Sequence, residues 1–277
     1  MSHDPFFAQD TNLPPPGWLL FDCESIPDGR LLNIVKYPTE TMTPEEAVAR
    51  AQAEARADKG SDFLPVTFQL PVAIALLRVG VDLSLQGIAC LDRPAYRCRA
   101  MVEQFWAGLV HYYTTYYQQI KIVTFNGRGF DLPLLEMAAY RYGLSVPEFL
   151  SDHAQRYEDW HLDLMDWLTN YGCSRLSGGL NLLSKLLGKP GKTEVTGKKV
   201  YGMWRDGKLA EINDYCLCDT LDTYFVFLRT RVMAGALTLE TEQELIRRAK
   251  DWLREQSASY PGLGEYVSNW GEWTPWP

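Results

Sequence analysis

The sequence predicts an α/β fold built on a mixed five-stranded sheet: three antiparallel strands, then parallel ones, with helices on both faces. Three observations predict it. Apolar runs at 18–21, 72–79 and 83–91 come early in the chain and read as an antiparallel meander. Two later runs, at 121–125 and 160–164, alternate with helical patterns, the signature of parallel additions. At 277 residues, 46% of them apolar, the chain can fill one large core.

Residues 1–16 read as a loose leader, stopped from helix by Pro14, Pro15 and Pro16. The first strand ends at the turn signal Ile26-Pro27-Asp28-Gly29. Residues 28–62 are expected as an excursion between the first two strands. They contain one helix that opens at Thr43 as N-cap, with Pro44 and two glutamates in its first turn, and runs to about Lys59. Gly80-Val81-Asp82 turns between the second and third strands. Over 99–119, Met101, Val102, Phe105, Trp106, Leu109, Val110, Tyr113 and Tyr117 recur at helical spacing, which makes them core. After the strand at 121–125, Asn126-Gly127-Arg128-Gly129 is a tight turn, and a helix starts at Phe130 with Pro133 tolerated in its first turn. A short strand at 160–164 leads into another helix, and 180–187 is a further short one. Residues 188–208 read as a polar, glycine-rich loop. Helices follow at 211–233 and 238–255, and 256–277 is an irregular aromatic tail expected to fold back over the core. This organisation gives a main domain over 17–235, with a C-terminal helix and Trp-rich tail over 236–277.

A net charge of −8 excludes a wholly basic surface, but residues 185–208 carry seven lysines and arginines against two acids, with Tyr201 and Trp204 between them. Such a segment suits phosphate contact without base preference, and it equally suits a solvated loop. No apolar stretch is long enough to span a membrane, and the polar N-terminus lacks a signal core, so a cytoplasmic protein is expected. The six cysteines form no Cys-x-x-Cys pair and no two of the four histidines lie at ligand spacing, which argues against zinc and against a disulfide framework.

Three stretches carry candidate chemistry. In Asp22-Cys23-Glu24-Ser25, the two acids share one face of a strand, and neighbouring carboxylates favour a hard divalent cation between them. Taken alone, the pair also fits a strand end whose acids meet solvent. Asp131 falls in the first turn of a helix just past a strand end, where ligands bind in open α/β sheets and where a capping acid is also common. Tyr215 and Asp219 stand four apart on one face of a strongly apolar helix, where an unpaired charge is costly. Asp222 reads as structural. His161-x-Asp163 is accounted for by Asp163 capping a helix.

In order, Asp22-x-Glu24, Asn126-x-x-x-Phe130-Asp131 and Tyr215-x-x-x-Asp219 resemble the three motifs of the DEDD exonuclease superfamily in its tyrosine variant (DnaQ-like, ribonuclease H-like fold). Within it the chain is most similar to stand-alone predicted 3′-5′ exonucleases akin to the proofreading domain of family B DNA polymerases, over about 18–235. The similarity extends through 125–131, 161–164, 188–192 and 215–219. Ser25 departs from the threonine the family often has there, keeping the hydroxyl. The resemblance implies two Mg²⁺ or Mn²⁺ ions held by Asp22, Glu24, Asp131 and Asp219, with Tyr215 orienting the attacking water. It also implies substrate contacts from Ser25, Asn126 and Phe130, while the basic stretch at 185–208 offers Lys198 and Lys199 to the phosphates. The implied partner is a single-stranded nucleic acid 3′ end, DNA ahead of RNA. A ribonuclease D-like exoribonuclease and a non-catalytic nucleic-acid-binding module on the same fold are the alternatives.

Overall fold

The computed structural model of the chain describes residues 13–116, 120–146, 160–191 and 197–275, without the side chain of Lys198. Most of the expected leader, Lys192 and Trp276 therefore lie outside the described residues. The sheet has five strands in the order β3-β2-β1-β4-β5. β1 (Pro16–Pro27) pairs antiparallel with β2 (Gln69–Gly80), and β2 with β3 (Leu85–Cys90). On the other side of β1, β4 (Lys121–Thr124) and β5 (His161–Asp163) run parallel to it. The expected mixed topology is the observed one.

Helices cover both faces. α1 (Gly29–Lys36) and α2 (Pro44–Lys59) form the excursion between β1 and β2. α3 (Cys98–Thr115) precedes β4, and α4 (Asp131–Tyr142) follows it. After β5 come α5 (Leu164–Thr169), α6 (Gly179–Leu186), α7 (Gly197–Arg205), α8 (Leu209–Met233), α9 (Leu239–Gln256) and α10 (Pro261–Ser268). Side chains alternate across β1, so Phe21 packs edge-on against Phe105 of α3, while Trp18 packs against Phe227 of α8, each at 4.9 Å between ring centroids. The 25-residue α8 is buried along most of its length. It is the central helix of the fold.

Three sequence expectations change. Residues 197–205 form α7 rather than loop, because Val200 is fully buried and Tyr201 packs against the small core of α1 and α2. The excursion holds a second helix, α1, capped by Asp28 through the backbone N–H groups of Arg30 and Leu31. It fits closely because Gly29 has no side chain: a Cβ there would lie 2.1 Å from the Pro44 carbonyl oxygen. The tail does fold back, but through α10 rather than as irregular chain. Leu263, Tyr266, Val267 and Trp270 are buried, and Tyr266 donates its hydroxyl to Asp222 at 2.6 Å. No described helix is long and apolar enough to cross a membrane.

Candidate active site

β1 outruns its parallel neighbour. The β1–β4 pairing runs from Trp18 to Leu20, and β1 continues to Pro27. The exposed edge beyond Leu20 needs a partner for its backbone donors. Asp131, the first residue of α4, supplies one: its Oδ1 accepts from the Cys23 N–H at 2.9 Å. The acids thus stand at the carboxyl end of β1, where the sheet passes from antiparallel to parallel neighbours and where ligands bind in such folds. The register shifts between Glu24 and Ser25, which face Ala73 and Pro71, so the extra residue Val72 forms a bulge in β2 opposite the acids.

Asp22 and Glu24 share their face of β1 with Trp18, which is the face covered by α8. From α8, Asp219 reaches the same point. Asp22, Glu24 and Asp219 each offer a carboxylate oxygen, and these oxygens all lie within 4.8 Å of one another. An all-oxygen donor set of this kind suits a hard divalent cation, and the thiols nearby do not compete for it. Burial, reinforced by the surrounding carboxylates, holds Cys23 and Cys216 protonated well above neutral pH. Cys216 instead donates its thiol to the Asp22 carbonyl at 3.3 Å, locking α8 to β1 beneath the acids.

Asp131 is not a member of the three-carboxylate set; it flanks it from the α4 side. Burial pushes its carboxyl up to about 7, against the hydrogen bonds from the backbone of Cys23 and of its own residue, and the charge of Asp163 pushes the same way. Tyr215 is buried one turn from Asp219. Desolvation, followed by the charges of Asp219 and Glu24, raises its phenol far above the usual range, so the hydroxyl is a donor and is bonded to Asp219.

The other sequence-derived candidates divide. Asn126 is exposed in a left-handed conformation (φ 65°) and Phe130 is half-buried at the start of α4. Ser25 donates its hydroxyl to Gln69 of β2 at 3.4 Å. Lys199 is exposed on α7, and Lys198 occupies the same helix with its side chain outside the described set. On α7 the Tyr201 and Trp204 rings lie nearly parallel, 6.2 Å apart. Lys189, counted in the basic stretch, is withdrawn from it: the ammonium is buried over Trp270 at 4.3 Å and Phe225 at 5.1 Å.

Two supporting roles were not read from the sequence. Asp163 ends β5 beside Thr124, and its two oxygens accept from the Asn126 and Arg128 N–H groups, each at 2.9 Å, as well as capping α5. It therefore clamps the turn that carries Asn126. His161 lies behind this turn, its Nε2 2.8 Å from the Thr124 hydroxyl, and burial lowers it to about 3, so it is neutral.

A family described as predicted 3′-5′ exonucleases related to the exonuclease domain of PolB matches residues 61–270. The chain belongs to this family. No curated protein gives a significant match. The family match spans Asp131, Tyr215 and Asp219 and continues through α9 and α10, beyond residue 235, where the resemblance read from the motifs stopped. It begins after Asp22 and Glu24, which the fold brings to Asp219 from outside the matched segment. Membership in this exonuclease family also identifies the five-stranded mixed sheet as ribonuclease H-like.

Proposed function

We propose that the chain is a metal-dependent exonuclease that removes nucleoside 5′-monophosphates from the 3′ end of single-stranded DNA. The observation that carries this is the convergence of Asp22, Glu24 and Asp219 within 4.8 Å, in a chain of the predicted 3′-5′ exonuclease family. In this reading Asp22, Glu24, Asp131 and Asp219 hold two Mg²⁺ or Mn²⁺ ions, which when bound activate water and neutralise charge on the departing 3′ oxygen.

The protein's own groups position what reacts. Tyr215 keeps its proton, so it orients the attacking water by hydrogen bonding and does not act as the base. Asn126, in the turn after β4, and Phe130, next to Asp131, position the terminal nucleotide, the ring by packing on sugar or base. Ser25, held by Gln69 and next to Glu24 in β1, offers a further substrate contact. Lys198 and Lys199 on α7 bring positive charge to the strand's phosphates without reading its sequence.

The test is a time course on 5′-labelled single-stranded DNA and a matched RNA, with Mg²⁺, with Mn²⁺ and with EDTA, alongside Asp219→Asn. The expected result is a ladder shortening from the 3′ end of DNA, lost in EDTA and slowed by about 10²-fold or more in the variant. Shortening of the RNA alone would assign a ribonuclease. An undiminished ladder from Asp219→Asn would remove the acid cluster from the chemistry.

A further inference from the structure

One side of α7 is built into the fold. Val200 is fully buried, Met203 packs against the main core, and Tyr201 packs against both the main core and the small core of α1 and α2. Those two helices follow β1 directly, so α7 lies at the carboxyl end of β1, with which it is in contact. Its other side is of a different kind. Lys199, Trp204, Arg205 and Lys208 are exposed there. Residues 197–208 contain Lys198, Lys199, Arg205 and Lys208 against Asp206 as their one acid, in a chain of net charge −8. Lys208 shares its charge with Glu211 at 3.6 Å. A single exposed apolar side chain needs no explanation. Trp204 is distinguished by its setting. It is 39% exposed, and its ring lies within 12° of parallel to that of Tyr201, with the centroids 6.2 Å apart. The Arg205 guanidinium lies 6.0 Å from the Tyr201 centroid.

We propose that Trp204 is a stacking platform for a base of single-stranded nucleic acid, behind the 3′ nucleotide that is removed. The platform deepens the exonuclease reading and rests on it for the direction of the strand: Asn126 and Phe130 are taken by the terminal nucleotide, so a base on Trp204 comes from further back. The indole offers a π-face, which every base can stack on, so the contact tolerates any sequence. Tyr201, anchored in two cores, backs the ring before the strand arrives, and little ordering is lost on binding. The cations around the ring complement phosphates on either side of the stacked base. A paired base, stacked within a duplex, has no free face to offer. The platform thereby favours single strands.

The experiment is fluorescence anisotropy in EDTA at several salt concentrations, with wild type, Trp204→Ala and Trp204→Phe. The probes are a labelled oligothymidine of about 20 nucleotides and a strand of the same length built of abasic spacers. Trp204→Ala is expected to weaken oligothymidine binding about fivefold or more, while Trp204→Phe keeps most of it. The abasic strand should bind wild type and Trp204→Ala alike. The slope of log Kd against log salt should be the same for both proteins, since no phosphate contact is lost. Equal affinity of wild type and Trp204→Ala for oligothymidine overturns the platform, as does an equal loss on the abasic strand or a wild type that binds neither. With Mn²⁺, Trp204→Ala should raise KM for 3′-nucleotide release by a similar factor, with a smaller change in kcat. A wild type that binds oligothymidine through Trp204 yet releases no nucleotide would keep the platform and overturn the exonuclease reading. Melting of both variants within a few degrees of wild type is expected, and it separates lost stacking from an unravelled α7.

Discussion

At the scale of single residues, Asp163 illustrates how one carboxylate can set the shape of a site it does not enter. It accepts from the backbone of Asn126 and Arg128 on one side and of Met165 and Asp166 on the other. Asp163→Ala leaves those partly buried donors without this partner, and the left-handed Asn126 loses what holds it. The expected cost is about 2–4 kcal/mol in denaturant unfolding, together with a fall in kcat for 3′-nucleotide release. Asp163→Asn, which keeps an acceptor oxygen, should recover most of the stability. Equal midpoints for the alanine variant and wild type would show that the clamp is not needed. The capping half of this role was legible from Asp163 and Asp166 alone, because a cap is local. The clamp half was not, since it joins residues 37 apart through strand pairing. The same division holds at the acids. That Asp22 and Glu24 share a face follows from strand periodicity, whereas their meeting with Asp219 is a property of where α8 crosses β1.

At the scale of elements, the misread pieces are those whose stability comes from packing. α7 contains Gly197 and Gly202, poor helix formers, and its sequence alone reads as loop. Burial of Val200 and the seating of Tyr201 on the α1–α2 core override that preference. α10 is an eight-residue helix opened by Pro261 that no isolated chain would hold. Its support is aromatic: Trp270, just beyond it, meets Phe225 of α8 edge-on at 4.8 Å and Tyr266 at 6.0 Å. The Gly271 N–H donates to the Gly188 carbonyl at 2.8 Å, and Gly262 donates to Asp214 at 2.9 Å. These contacts make the C-terminal segment a brace along the stretch of α8 from Asp214 to Phe225, which carries Tyr215 and Asp219. Trp270→Ala should therefore lower stability by about 3–5 kcal/mol, read as a lower urea midpoint with an unchanged slope. A loss below about 0.5 kcal/mol would mean that the segment rests on the core without supporting it.

At the scale of the whole molecule, the fold separates its charges into a solvated acidic surface and a few buried ionic groups, and the latter set its pH response. Lys189 is the clearest case. Burial lowers its ammonium to about 7, and the cations Lys250 and Arg229 push the same way, while Glu242 and Asp222 oppose them without prevailing. An unfolded lysine titrates near ~10.4. Below pH 7 both states are charged, and the folded state bears the full cost of a buried cation. Between pH 7 and about 10 the unfolded chain holds a proton that the folded one has released, so stability rises with pH by roughly 1 kcal/mol per unit. Lys189→Met removes this titration while keeping a long apolar side chain against Trp270 and Phe225. Differential scanning calorimetry at pH 6.5 and pH 9.5 should show the variant's stability relative to wild type to be higher at the lower pH. At roughly 2–4 °C per kcal/mol for a chain of this size, the two differences in Tm should be several degrees apart. Parallel curves for the two proteins across the range would mean that Lys189 titrates in the ordinary lysine range, and that the tail does not bury its charge in solution. Because the brace and the buried lysine share Trp270, Trp270→Ala should also flatten the wild-type rise, as water reaches the ammonium and its pKa returns toward that of an exposed lysine.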